Sequence, residues 1–268
     1  MGRLDGKVAI VVGAGAIGAG LGNGKAAALA YANEGAAVVC ADRSADAAND
    51  TAQLIGAAGG QAVPIIVDAT DEDQMRELFE QASITFGRLD ILHNNVGVGG
   101  SAGAPDTIEL ASWNNEIAQN LTSAYLGIRF AVPLMRSQGG GVITNTSSTL
   151  AVRFLSQPVV AYSASKAAVE ALTRACALTY GPDDIRVNCL RIGFSETPLL
   201  MYGLDVRQLS EEQKTKALQR SRQKVPLRHE HGDARDVAAA AVFLASAEAR
   251  YISGVVLSVD GALEHAPV

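Results

Sequence analysis

Short apolar, β-branched runs recur along the chain at Val8 to Val12, Ala37 to Ala41, Ala62 to Val67, Ile91 to Asn94, Gly141 to Thr146, Ile185 to Leu190 and Val255 to Val259. Runs of this length without polar alternation predict strands buried on both faces. Between them lie Ala-, Leu- and Glu-rich segments with helical spacing, among them Lys25 to Asn33, Glu72 to Phe86, Tyr162 to Tyr180 and Ala234 to Ala247. The alternation predicts an α/β fold: a doubly wound parallel sheet with helices on both faces. No Pro- or Ser-rich linker, charge block or low-complexity tract divides residues 1–268, so a single domain is expected. Ligands of such sheets bind beyond the carboxyl ends of the strands, and chemistry is sought there.

Composition narrows the classes. With 48% hydrophobic and 19% charged residues among 268, the chain can bury a large core, which excludes disorder as its main state. Lys and Arg number 22 against 28 Asp and Glu, a net charge of −6. No basic field exists to hold a phosphate backbone, so no nucleic acid partner is expected. Cys40, Cys176 and Cys189 are odd in number, lie in apolar stretches and lack paired spacing. They read as small core side chains of a reducing compartment. His93, His229, His231 and His265 lack metal-ligand spacing with acidic or cysteine partners, so no metal is assigned. The first residues carry charge where a signal peptide needs an apolar region, and glycine breaks the apolar runs before spanning length. A cytoplasmic protein with no membrane partner is expected.

Directly after the first strand comes Gly13-Ala-Gly15-Ala-Ile-Gly18-Ala-Gly20-Leu-Gly22-Asn23-Gly24-Lys25, followed by an alanine-rich helix. Carrying that helix back through Gly18, Gly20, Gly22 and Gly24 would cost roughly 4 kcal/mol relative to alanine, so the segment reads as a loop. Glycine lets backbone amides approach a pyrophosphate, and the positive end of the next helix favours the anion. Gly13, Gly15 and Gly18 match G-x-G-x-x-G, although a tight strand-to-helix turn accounts for that pattern equally well. The next strand ends at Asp42, about where a carboxylate accepts hydrogen bonds from an adenosine ribose. It would repel a 2′-phosphate, which argues for NAD over NADP. Arg43 beside it complicates this reading, because a guanidinium can pair with that phosphate; a solvated surface charge is its simpler reading.

In Tyr162-Ser-Ala-Ser-Lys166 a phenol and an ammonium stand four residues apart on one helical face. Ser148, fourteen residues earlier, follows a strand and brings a hydroxyl to the same crevice. A tyrosine acting as a base near neutrality needs its pKa lowered by about 3 units, roughly 4 kcal/mol. An ammonium about 5 Å away at an effective dielectric near 20 supplies roughly 3 kcal/mol, and an oxidised nicotinamide adds a second positive charge. Ser148 would orient the substrate oxygen, and Lys166 would also hold the nicotinamide ribose.

With these residues and several further motifs, the chain resembles the short-chain dehydrogenase/reductase family almost end to end. Asn94-Asn95-Val96-Gly97 is similar to the family's Asn-Asn-Ala-Gly; Asp68, followed by Ala69, resembles the residue contacting adenine; Trp113 stands seven positions before Asn120. The resemblance implies a Rossmann-like fold and a tetrad of Asn120, Ser148, Tyr162 and Lys166, with Asn120 anchoring a water in a proton relay. It also implies cofactor contacts from Gly13, Gly22, Asn23, Gly24, Asp42, Arg43, Asp68, Ala69, Asn95, Gly97, Tyr162, Lys166, Gly193, Ser195 and Thr197, with Thr197 on the carboxamide. Arg186-Val-Asn188, Tyr251-Ile-Ser-Gly254 and Val259-Asp-Gly261 match further family segments. Family members assemble as tetramers through the helices carrying Asn120 and Tyr162, so a homotetramer is expected.

Three departures stand out. The family's fifth and seventh loop positions fall at Gly22 and Gly24, five residues late, so the phosphate loop is expanded and Gly18 loses its place as a contact. The usual Pro-Gly after the sixth strand is Ile192-Gly193, which predicts a looser turn. Ser148 to Tyr162 is one residue longer than the commonest spacing, leaving Ser147 as the fallback. A polar, flexible-looking stretch at 198–224, headed by Leu199, Leu200, Met201 and Tyr202, corresponds to the family's substrate lid, though an ordinary helix packing on the core fits those residues too. Arg153 and Phe154 are candidates for the pocket, with Arg153 either selecting an anion or forming a surface ion pair. The expected function is an NAD-dependent oxidoreductase acting on a small-molecule secondary alcohol or ketone. An NADPH-dependent 3-ketoacyl-type reductase and a non-catalytic nucleotide sensor are the alternatives.

Overall fold

Seven parallel strands form one sheet in the order β3-β2-β1-β4-β5-β6-β7: β1 Val8–Val12, β2 Ala37–Asp42, β3 Ala62–Ile66, β4 Ile91–Asn94, β5 Gly141–Ser148, β6 Ile185–Ile192 and β7 Val256–Val259. This is a computed structural model, and it describes residues 2–98, 102–154, 158–206 and 209–267. β1 is buried at all five positions, as its unbroken apolar run requires. β3 tolerates Pro64 because it lies at the sheet edge, where a missing N–H leaves no ladder bond broken on the open side.

Helices cover both faces. Helix α1 (Asn23–Asn33), α2 (Ala45–Ala57) and α9 (Ala234–Ala245) bury Ala27, Ala28, Tyr31, Ile55, Val237 and Ala241 on one side. Helices α3 (Glu72–Phe86), α5 (Ser123–Ser137) and α6 (Val160–Tyr180) bury Met75, Leu78, Leu126, Met135 and Cys176 on the other. Helix α4 (Leu110–Ile117) runs into α5 through a π-helical turn at Ala118–Thr122. The three cysteines are free and buried, as small core side chains should be.

The stretch after β6 is more ordered than its polar composition suggests. It forms α7 (Pro198–Val206) and α8 (Glu211–Gln223), the latter opened by a capping box between Ser210 and Gln213. Arg207 and Gln208, within the predicted lid, lie outside the described residues. Among the described residues no helix is long and apolar enough to cross a membrane.

The strand order reverses between β1 and β4, so their carboxyl ends open the crevice where a ligand of such a sheet sits.

Candidate active site

The β1 side of the crevice is built by contacts between glycines and neighbouring strands. Gly13 has φ +84 and lies against Val96, and Asn95 Nδ2 donates to its carbonyl at 3.1 Å. Residues 14–21 form an irregular loop, and α1 begins at Asn23 with Gly22 as its cap, two residues before the start at Lys25 that the glycine spacing predicts, so Gly24 lies inside the helix. A Cβ on Gly24 would come 1.9 Å from Gly13 O, so only glycine lets the first turn of α1 press this closely on β1. Gly18, by contrast, faces open space, in keeping with an expansion between Gly13 and Gly22. The loop reaches across to the other wall: a Cβ on Gly20 would sit 3.0 Å from Pro198 Cγ at the head of α7.

Asp42 closes β2 with both oxygens engaged by the backbone. Gly15 N donates to Oδ2 at 2.9 Å and Ser44 N to Oδ1 at 3.0 Å. This structural duty was not visible in the sequence, and each oxygen retains a second lone pair for a ligand. Arg43 is exposed beside it. Asp68 turns its Oδ1 back onto Thr70 N at 2.9 Å, with Ala69 buried next to it. Two buried oxygens, Asn23 Oδ1 and Ser195 Oγ, have no hydrogen-bond partner among the described residues. Such groups are normally satisfied, and both stand at positions expected to touch a dinucleotide. The residues present therefore fit that group.

The tetrad residues converge from β5, α6 and the π-helical turn. Ser148 is the last residue of β5, and its Oγ accepts from Leu150 N at 3.2 Å. The fallback, Ser147, points the other way, donating to Glu170 Oε1 at 3.0 Å and to Lys166 O at 3.1 Å. Ser148 is near enough to the Tyr162 phenol to favour its ionised form. The Lys166 ammonium lies 5.8 Å from the centre of the Tyr162 ring and donates to Thr146 O at 3.0 Å and Val96 O at 3.4 Å. Asn120, in the π-helical turn and 1% exposed, donates to Ser165 Oγ at 3.1 Å and accepts from Val98 N at 3.0 Å. π-Turns of this kind mark functional positions. Gly97 leaves the room these groups need, since a Cβ there would come 3.0 Å from Lys166 Nζ and 3.4 Å from Asn120 Oδ1.

One electrostatic expectation is corrected. The sequence arithmetic has Lys166 draw the phenol downward, yet the phenol is raised above its ordinary value. Burial is the main cause; the nearby Ser148 hydroxyl opposes the rise and the charge of Glu116 adds to it. Burial likewise pushes the Lys166 ammonium down to about 8. Desolvation penalises both charged forms, so the pair needs a further positive charge to yield a phenolate near neutrality. Glu116, 2% exposed on α4, is the site neighbour that sequence reasoning passed over. Its signal was a carboxylate four residues before Asn120 on one helical face.

After β6, Ile192 in place of proline does not loosen the turn. Gly193 N donates to Val259 O at 3.0 Å, and Thr149 Oγ1 holds Ile192 O at 3.3 Å. Gly193 is required because a Cβ would come 2.6 Å from Asp260 Cβ. Ser195 and Thr197 follow, both buried, and Ser195 bridges to Gly232. Arg153 turns away from the expected pocket: its guanidinium donates to the carbonyls of Leu263, Ala266 and Pro267 at 2.6 to 3.0 Å, and it forms no ion pair among the described residues. Phe154 is 81% exposed.

Comparison with known proteins agrees with this geometry. A family profile described as enoyl-(acyl carrier protein) reductase matches residues 18–263. The chain is 36% identical to the 7alpha-hydroxysteroid dehydrogenase of Escherichia coli K12, covering 97% of this chain and 94% of that protein. It is 33% identical to the 3-oxoacyl-[acyl-carrier-protein] reductase of Thermotoga maritima over 97% and 99% of the two chains. Among solved structures it resembles a short-chain dehydrogenase/reductase from Burkholderia xenovorans, with TM-score 0.91, 39% identity and full coverage of both chains. It also resembles a 7 alpha-hydroxysteroid dehydrogenase complexed with NADH and 7-oxo glycochenodeoxycholic acid, with TM-score 0.84, 36% identity and 97% and 94% coverage. A parallel sheet in this order, the Tyr162-Lys166 pair beside Ser148, and these matches over nearly the whole length place the chain in the short-chain dehydrogenase/reductase family of oxidoreductases.

Proposed function

We propose that the protein transfers hydride between NAD and the oxygen-bearing carbon of a secondary alcohol or ketone. The observation that carries this reading is the meeting of Ser148, Tyr162, Lys166 and Asn120 at the end of β5, across the crevice from a glycine loop secured by Asp42. The bound dinucleotide supplies the hydride acceptor or donor. Gly13, Gly22, Asn23 and Gly24 would cradle its pyrophosphate, Asp42 and Arg43 the adenosine ribose, and Asp68 and Ala69 the adenine. Asn95, Gly97, Gly193, Ser195 and Thr197 would hold the nicotinamide half.

The residues of the chain handle the proton. Ser148 donates a hydrogen bond to the substrate oxygen as charge builds on it. In oxidation the substrate hydroxyl gives its proton to the Tyr162 phenolate while hydride leaves the carbon; in reduction the phenol returns the proton to the carbonyl oxygen. Lys166 stabilises the phenolate and holds the ribose, and Asn120 anchors the relay that exchanges the proton with solvent. Tyr162→Phe should abolish turnover and leave NADH binding intact. Undiminished turnover over a panel of cyclohexanol, a bile acid and an acetoacetyl thioester would refute the assignment.

A second reading, an NADPH-dependent 3-ketoacyl-type reductase, is favoured by the exposed Arg43 beside Asp42 and by the similarity to the Thermotoga maritima reductase. Initial rates with NADH and NADPH separate the two. Under the first reading Asp42→Ala relaxes a preference for NAD. A cytoplasmic single domain assembled as a homotetramer belongs to the same proposal. Leu178, 83% exposed on α6, and Tyr125, 44% exposed on α5, leave apolar surface on the helices that would meet. A solution mass of four protomers is expected, and a monomer would count against it.

A further inference from the structure

Arg191, the residue before the end of β6, is largely withdrawn from solvent and carries a charge that the tetrad does not use. Register places it between Ser147 of β5 and Ser258 of β7, so the three side chains stand in a row on one face of the sheet. Two carboxylates converge on that row. Arg191 Nε and Nη2 donate to Oε1 and Oε2 of Glu170 on α6 at 2.8 and 2.6 Å, a two-pronged grip, and Nη1 donates to Glu264 Oε2. Ser147 adds a hydroxyl bond to Glu170 at 3.0 Å, and Ser258 adds one to Glu264 at 2.9 Å. The side chains of Glu170, Arg191 and Glu264 are 5%, 12% and 13% exposed. Arg174 and His265 touch the same two carboxylates at 3.7 and 3.0 Å but are themselves more than half exposed.

Such a cluster is seldom more stabilising than apolar side chains of the same volume, so its use is sought in the geometry it fixes. Glu170 stands one turn beyond Lys166 on the helix that also carries Tyr162, and Ser147 Oγ bonds Lys166 O at 3.1 Å. Glu264 belongs to the 3₁₀ turn Leu263–His265 that follows β7. That turn holds the loop leaving Ser148. Asp260 Oδ2 accepts from Glu264 N at 2.8 Å and from Thr149 Oγ1 at 3.5 Å, and Arg153 donates to the carbonyls of Leu263 and Ala266 at 2.8 and 2.6 Å. Arg191 therefore links the helix bearing phenol and ammonium to the loop that follows Ser148.

We propose that Arg191 is a positioning residue: by gripping Glu170 of α6 and Glu264 of the closing turn together, it sets the spacing between the Ser148 hydroxyl and the Tyr162 phenol, which must meet on one substrate oxygen. The proposal rests on the reading of those two groups as hydrogen-bond donor and general acid/base. A clamp of this kind acts on alignment, so the cost of losing it falls on the chemical step. The dinucleotide contacts proposed at Gly13, Gly22 to Gly24 and Asp42 lie at the ends of β1 and β2 and the start of α1, away from the clamp, and should survive its loss.

The test compares the parent with Arg191→Lys and with the triple variant Glu170→Leu, Arg191→Met, Glu264→Leu. Lysine keeps the charge but has no planar fork to grip two carboxylates, and the triple variant fills a similar volume with no buried charge. In both, kcat for the most active substrate of the panel above should fall by roughly 10- to 100-fold, while the stoichiometry and Kd of NADH binding and the KM for NAD stay within about threefold of the parent. A merely structural role would instead remove NADH-binding sites in step with kcat. Parental kcat in either folded variant overturns the proposal, and so does a fall in kcat matched by an equal fall in bound NADH. Should the triple variant not fold, Glu264→Ala takes its place with the same expectation, because it frees the turn and leaves Arg191 and Glu170 as a balanced pair. Tyr162→Phe measured alongside separates the two levels. If it is inactive while the clamp variants keep parental kcat, only the role of Arg191 fails; if it retains turnover, the acid/base reading fails and takes this inference with it.

Discussion

Alanine at Gly24 and at Gly56 should have opposite effects, although both glycines lie inside helices. In an exposed helix interior the change is stabilising by about 0.5–1 kcal/mol, because alanine restricts the unfolded chain and suits the helix better. Gly56 on α2 meets that case, since a Cβ there finds nothing within 4 Å. At Gly24 the added carbon would lie 1.9 Å from Gly13 O and 2.5 Å from Asn95 Nδ2, so backbone must move. Overpacking costs about 1–3 kcal/mol, and breaking the bond from Asn95 to Gly13 adds about 1. The helix preference returns about 1, leaving a net loss near 2 kcal/mol. For a chain of this size the melting temperature should fall by about 4–8 °C in Gly24→Ala and rise by about 1–4 °C in Gly56→Ala. Thermal unfolding followed by circular dichroism reads both. Fluorescence titration with NADH should show weaker binding in Gly24→Ala alone, since α1 is displaced from β1. A Gly24→Ala protein that melts at or above the parental temperature and binds NADH unchanged would refute the packing argument.

Ser148→Ala should lower kcat by about 10²- to 10³-fold in a folded protein. Ser147→Ala should leave kcat within a few-fold and lose about 1–2 kcal/mol in urea unfolding, because Glu170 loses a buried donor. Lys166→Met should abolish turnover yet raise the urea midpoint at pH 7. The folded-state pKa of Lys166 is lowered to about 8, so folding disfavours its charged form below that pH. That penalty fades as pH climbs above 8 toward the unfolded value, and the stabilising effect of methionine should fade with it; a gain that persists unchanged at pH 10 would contradict the assignment. Arg153→Ala should release the carbonyls of Leu263, Ala266 and Pro267, and limited carboxypeptidase digestion should trim the variant sooner than the parent.

The strands were readable because parallel strands covered on both faces are rich in apolar residues, and β1 and β4 end at Val12 and Asn94, where the sequence reading ends them. β5 and β6 run two residues further, to Ser148 and Ile192, because ladder pairing continues through polar Ser147 and Arg191. Tyr162 and Lys166 were readable as neighbours from helical spacing, and as partners only together with Ser148 and the further family motifs. The sign of the phenol's shift was not, since it depends on burial, which spacing does not report. Glu116 was hidden for the related reason that periodic patterns assign charged residues to solvent. In the 198–224 stretch a helix was one of two readings of Leu199 to Tyr202, where α7 forms, while α8 was missed because composition outweighed a local signal: Ser210 and Gln213 spell a capping box that its polar residues disguise. The π-helical turn around Asn120 leaves no local sequence signature.

Contact between Gly20 and Pro198 also bears on how this scaffold can be re-engineered. A graft that swaps only the segment over the substrate, from a homologue with a shorter phosphate turn, would leave Gly20 facing a surface it was not shaped for. Chimeras should carry residues 14–22 and 198–223 as one exchangeable cassette.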